Sequence, residues 1–484
     1  MFYKAIKLSI HAHINKVLLV SLLTFCFFMN QGIASGHKIK GTLTNFTGGE
    51  IYLSMLYGGN QYVVDTAKVV NGAFSFESIY DLQSGVYLVI LPPTKSFLIL
   101  VDQNETDFSF FADNKDIDGT IRFEGSPDNK EYYDYLRYFQ TKRAELDKIK
   151  STYDAQKSDQ DKTELLAKMQ QQKKEIIEYQ TALVARIPKT LTAAMVRCEL
   201  PVEVPTYDGS PEEIQMKKYL FQKSHFFDNV NLSDERLIRA PKNVLVDRVE
   251  YYLDNLTVQS PDSINKSVDY ILKKTENTQV AYRFFLTHMF NKYREAKNIG
   301  MDAVFVHIAE DYIAKGKAPW IEEEEKNKVL SAVRLISPTL IGKKAPNFTV
   351  QTEGEKNVSL YDIQSPYTVL VFWAPNCAHC QQSMPVLSSF YKTYKDKGVE
   401  VFAVCTKLNE QEKGCWDYID KNQFTNWING SDKSGGTSAI QTTYNIKTTP
   451  KVYVLSKDKT ILAKDLSIEN LEEVFRRLIP PTDK

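Results

Sequence analysis

Two thiols set just behind a buried strand constrain this chain more than any other feature of its 484 residues. Val369-Leu370-Val371-Phe372-Trp373 is an unbroken apolar run, as expected of a strand covered on both faces. Ala374-Pro375-Asn376 interrupts it, and Cys377-Ala378-His379-Cys380 opens a helical pattern. Residues at i and i+3 share one helix face, so the two sulfurs can approach closely enough to form and break a disulfide. Cys377 falls at the N-terminal end, where unpaired backbone N–H groups and the helix dipole favour an anion. A thiol placed there ionises below its ordinary range, and the thiolate is the form that attacks disulfides. The spacing predicts redox chemistry at Cys377 and Cys380, carried on a strand, a turn and a helix.

The setting of these thiols follows from the rest of the chain. Lys4, Lys7 and Lys16 precede the apolar segment Val17 to Met29, which is followed by Gly32-Ile33-Ala34-Ser35-Gly36. Basic, apolar and small-residue regions in that order predict a secretory signal over residues 1–35, cleaved near Ala34 or Gly36, and the apolar run is short for a membrane span. Cys26 follows Phe25 and lacks the small residue that a lipoprotein signal places before its cysteine. The expectation is a protein exported to the periplasm or cell envelope, with no stable membrane span once the signal is removed. Of six cysteines, removal of Cys26 leaves Cys198, Cys377, Cys380, Cys405 and Cys415, too few for a disulfide framework in so long a chain. Cys405 and Cys415 read as a second disulfide, as an electron relay or as two semi-buried thiols, and Cys198 as a buried apolar thiol. Lys+Arg and Asp+Glu both number 60, which argues against a whole-molecule field for nucleic acid.

The pattern changes along the chain and predicts a multidomain α+β protein. From residue 37 to 126, short runs rich in Val, Ile, Tyr and Phe, such as Phe74-Ser75-Phe76 after Asn71-Gly72, predict an antiparallel β-sandwich or barrel. Asp65 and Thr66 there read as turn residues at a strand end. Near Asn129 the period lengthens. Tyr132, Leu136, Phe139, Leu146, Ile149 and Tyr153 share one helix face, and Leu166, Met169, Ile176, Val184 and Ile187 another, so residues 127–190 are expected as a helical hairpin with charged outer faces. Residues 191–338 continue as aromatic-rich helix, with His225, His288 and His307 lacking metal-ligand spacing. From 339 to 484, strand-like and helix-like runs alternate, which predicts an α/β domain around a central sheet.

Several features of this last segment resemble the thioredoxin-fold domain of the TlpA/ResA-like envelope family. They are the lead-in Ile341-Gly342-Lys343-Lys344-Ala345-Pro346-Asn347-Phe348, the strand into Trp373-Ala374-Pro375, Cys377-Ala378-His379-Cys380, Pro385 and Thr449-Pro450 before a strand. The resemblance implies an α/β thioredoxin fold and a thiol–disulfide oxidoreductase that needs no cofactor. In it Cys377 attacks, Cys380 resolves the mixed disulfide, Trp373 and His379 tune the site, and Thr449 and Pro450 form the cis-proline loop that meets an extended substrate. The implied partners are protein thiols and disulfides of the cell envelope and an upstream redox partner.

Direction stays open. A histidine between the cysteines favours the thiolate and hence an oxidant; the resemblance implies a reductant of envelope proteins, apocytochromes among them. Val371 stands where cytoplasmic thioredoxins carry a buried acid, and Ser383 where some ResA-like proteins carry glutamate. Other uses of the thiols fit less well. Gln381 replaces the histidine of a haem-attachment motif, and a thiol peroxidase lacks its Thr-x-x-Cys context. An envelope binding or scaffold protein that uses the thioredoxin module as a docking surface is the alternative of a different class.

Overall fold

Alternating side chains from His37 onward give strands with one buried face. In β1 (His37–Thr44) Ile39 and Leu43 point inward, and in β7 (Asp107–Asp113) Phe108, Phe110 and Ala112 do so. The computed structural model describes residues 36–406, 412–432 and 438–480; the expected signal over residues 1–35 lies outside the described residues. Together with β2 (Glu50–Tyr57), β3 (Asn60–Lys68), β4 (Ala73–Ser78), β5 (Gly85–Leu91), β6 (Lys95–Val101) and β8 (Arg122–Glu124), these strands form two sheets, ordered β4-β1-β7-β8 and β3-β2-β5-β6. Ile39, Phe76 and Phe108 of the first sheet share a core with Ile51, Val89 and Ile99 of the second. The arrangement is an open sandwich and not a closed barrel.

It is also not wholly antiparallel. β1 pairs in parallel with β7, Ile39 opposite Phe108. Parallel neighbours need a long connection, and the chain supplies one by building five other strands before β7 returns beside β1. Asp65 and Thr66 sit inside β3, next to a register shift at Leu53 and Ser54, and not in a turn.

The helical hairpin consists of Pro127–Ala155, capped by Ser126, and Asp159–Arg186, capped by Ser158. Its base is polar and buried. Asn129 donates to Leu100 O at 2.6 Å and accepts from Leu100 N at 2.8 Å, while Asp128 accepts from Leu191 N at 2.9 Å and Thr192 N at 3.2 Å. Further helices run from Leu191–Glu199 to Glu323–Ile336, with a π-helical turn at Ala309–Ala314. The chain forms two compact units, one of residues to Thr257 with Tyr270–Phe284, the other of Val258–Asp269 with Phe285 onward.

The second unit holds a sheet of β9 (Thr349–Gln351), β10 (Asn357–Ser359), β11 (Tyr367–Trp373), β12 (Val399–Cys405), β13 (Ile428–Ser431), β14 (Lys451–Ser456) and β15 (Ile461–Lys464), in the order β10-β9-β13-β12-β11-β14-β15. β12 runs parallel to β11 and β13, and β14 antiparallel to β11. Both faces of β11 are covered. Val369, Val371 and Trp373 pack with Met384 and Leu387 of the helix Ala378–Tyr394, and Leu370 and Phe372 pack with Tyr444 and Tyr453 on the opposite side. Double coverage is the physical reason for the unbroken apolar run, and the result is a thioredoxin-like α/β domain.

Candidate redox site

The site forms where β11 ends. After the turn Ala374-Pro375-Asn376, Cys377 takes the N-cap position of the helix Ala378–Tyr394. Its sulfur accepts from Cys380 N at 3.4 Å, as a capping oxygen would. The same sulfur donates to Thr449 O at 3.1 Å, and the Thr449–Pro450 peptide bond is cis. Because β14 lies against β11, with Lys451 opposite Phe372, residues 449 and 450 come beside the start of the helix. Cys377 is half-buried and Cys380 only 1% exposed, and both are free thiols.

The two thiols differ in acidity. Partial burial works against ionisation of Cys377, but hydrogen bonds from the Thr449 side chain, from Cys380 and from the backbone of His379 outweigh it and hold this thiol below the ordinary value. Burial dominates at Cys380 and pushes its thiol up to about 11. One sulfur is prepared to attack from the surface, and the other is kept protonated beneath it.

Of the remaining residues expected at the site, His379 has an exposed side chain and reaches Cys377 through its main chain. Trp373 is fully buried, and its Nε1 has no hydrogen-bond partner among the described residues. Ser383 spends its hydroxyl on His379 O at 2.5 Å, and Val371 is fully buried, so neither position puts an acid near Cys380. Cys405 and Cys415 are joined by a disulfide with Cα atoms 6.4 Å apart. Cys198 is buried, donates to Ala194 O at 3.2 Å and is pushed up to about 11 by desolvation. Sequence reasoning missed Tyr418, whose ring lies 5.5 Å from that of Trp373. Its place three residues after Cys415, on the same helix face, is the signal that points to it.

ResA of Bacillus cereus, a thiol-disulfide oxidoreductase, is 31% identical over 143 residues, which are 29% of this chain and 79% of ResA. This chain belongs to the ResA family. ResA of Bacillus thuringiensis is 29% identical over 143 residues, again 29% of this chain and 79% of that protein. The AhpC/TSA family model matches residues 341–464, and two models described as domains of unknown function, DUF5106 and DUF4369, match 155–338 and 37–132. Among solved structures, a domain of a possible thiol-disulfide isomerase from Cytophaga hutchinsonii is 34% identical, covering 29% of this chain and 95% of that one, with a TM-score of 0.28. A thioredoxin-like protein from Bacteroides caccae is 24% identical, covering 57% of this chain and 98% of that one, with a TM-score of 0.41. As a member of the ResA family the chain is a thiol–disulfide oxidoreductase of thioredoxin fold, preceded by β and helical regions.

Proposed function

We propose that this protein is exported and exchanges disulfides with proteins of the cell envelope, with Cys377 as the attacking thiol and Cys380 as the resolving thiol. The observation that carries the reading is the asymmetry of the pair: a half-buried thiol of lowered pKa above a buried thiol raised to about 11. The Cys377 thiolate attacks one sulfur of a partner disulfide, a Cys377–partner bond forms, and the partner's other sulfur leaves as a thiolate. Cys380 then gives up its proton and attacks the Cys377 sulfur. The second partner thiolate leaves, and the pair ends oxidised by two electrons. An upstream thiol partner restores it, and a partner of higher or lower potential sets the direction. Trp373 and His379 tune the pair, while Thr449 and Pro450 present backbone to an extended partner segment. The β region 37–126 and the helical regions 127–190 and 191–338 precede this catalytic segment, 339–484.

Thiol peroxidase chemistry has less support, since Ala374 stands where a Thr-x-x-Cys context would place threonine. The test is trapping: Cys380→Ser should accumulate mixed disulfides between Cys377 and envelope proteins, visible as adducts on non-reducing gels that disappear on reduction. Absence of every adduct would refute exchange and favour the docking reading.

A further inference from the structure

The helix Glu412–Lys421 approaches the redox site from β12. Its residue Cys415 is buried and bonded to Cys405, and Cys405 lies in register with Trp373 on the adjacent strand. One turn along the same helix, Tyr418 packs on Trp373 with ring centroids 5.5 Å apart at 45°. Both rings belong to the apolar cluster that encloses Cys380 and contains Cys405 and Cys415. The start of the helix also meets the turn that precedes Cys377: a Cβ added at Gly414 would stand 4.0 Å from Pro375. One covalent bond therefore fastens a helix that touches the site at two places.

We propose that the Cys405–Cys415 disulfide is a positioning device for the redox pair, fixing Tyr418 on Trp373 as the cover that keeps water from Cys380. The inference rests on the reading of Cys377 and Cys380 as the exchanging pair. Neither Tyr418 nor the disulfide touches the reacting bond; both act through the surroundings of the resolving sulfur. Cys380 is 1% exposed, and burial is the largest cause of its raised pKa. Tyr418 is near enough for an ionised Cys380 to push the phenol upward as well. The titratable neighbours of Cys380 include Cys377 on its own helix and Tyr418 on the second, with Thr449 adding a hydrogen bond. With the cover in place the resolving thiol stays protonated and the mixed disulfide at Cys377 is long-lived. Without it, water stabilises the Cys380 thiolate and resolution quickens.

The experiment measures iodoacetamide labelling of Cys380, identified by peptide mass spectrometry, across a pH series in the full chain carrying Cys377→Ser. Tyr418→Ala, and separately Cys405→Ala with Cys415→Ala, should raise the labelling rate near neutral pH about tenfold or more and move the pH profile downward by about one unit. Tyr418→Phe, which keeps the ring, should leave both unchanged. An unmoved profile in folded Tyr418→Ala overturns the proposal. That variant retains the disulfide, so it decides the matter even where the cysteine double variant loses its fold. No partner protein enters this measurement, so its failure and the failure of trapping by Cys380→Ser are read independently.

Discussion

The second unit contains two cysteine pairs built to opposite ends. Cys377 and Cys380 lie on one helix, both free, one half-buried and one buried. Cys405 and Cys415 join a strand to a second helix, bonded to each other, at 1% and 0% exposure. Exchange requires that an incoming thiolate or disulfide reach a sulfur. The first pair offers one and hides the other, so attack and resolution fall to different atoms. The second pair offers neither. Sequence spacing separates the pairs only in part; what divides their roles is whether one sulfur sits at a helix start that a partner can reach.

This contrast can be broken in several places. Cys377→Ser should reduce disulfide exchange with a model substrate to the uncatalysed level, whereas Cys415→Ala should retain turnover; equal losses would erase the distinction. Reduced protein near neutral pH should be alkylated at Cys377 more than about a hundredfold faster than at Cys380, because the thiolate fraction falls tenfold for each unit of pKa and Cys380 lies near 11. Peptide mass spectrometry reads that ratio, and comparable rates would remove the asymmetry. Replacing both Cys405 and Cys415 by alanine opens a tie between residues ten apart in sequence and should cost about 2–3 kcal/mol in denaturant unfolding of the second unit. No loss would mean that this bond contributes nothing to stability. The smallest expected effect is at His379. His379→Pro deletes the backbone N–H that favours the Cys377 thiolate and should make the pair more reducing by roughly 30 mV, the equivalent of a tenfold change in equilibrium constant. His379→Ala keeps that N–H and should shift the potential less; a larger shift with alanine would give the role to the imidazole.

The legible parts of the sequence are those where one local pattern coincides with the final environment. β11 reads as a strand because both its faces are covered, and Cys377 reads as a helix start because the turn before it breaks the apolar run. β13 is different. Ile428-Asn429-Gly430-Ser431 carries no apolar run, and its strand geometry comes from parallel pairing with β12, a partner far away in sequence. The parallel pairing of β1 with β7 was illegible for the same reason, since alternation reports which face is buried and not which neighbour is chosen. At the site, the acid missing at Val371 and Ser383 can be read from residue identity. The contribution of the His379 main chain cannot, because every residue at that position except proline supplies an N–H. Tyr418 reaches Trp373 only through tertiary packing.

The hydrogen bond from the Cys377 thiol to Thr449 O has a consequence for timing. A thiol can donate to that carbonyl and a thiolate cannot. Loss of the proton therefore does two things at once: it arms the sulfur and frees the Thr449 oxygen to accept an N–H from an arriving polypeptide. A single proton acts as the latch on both recognition and attack, so the docking surface is complete only in the ionisation state that can react.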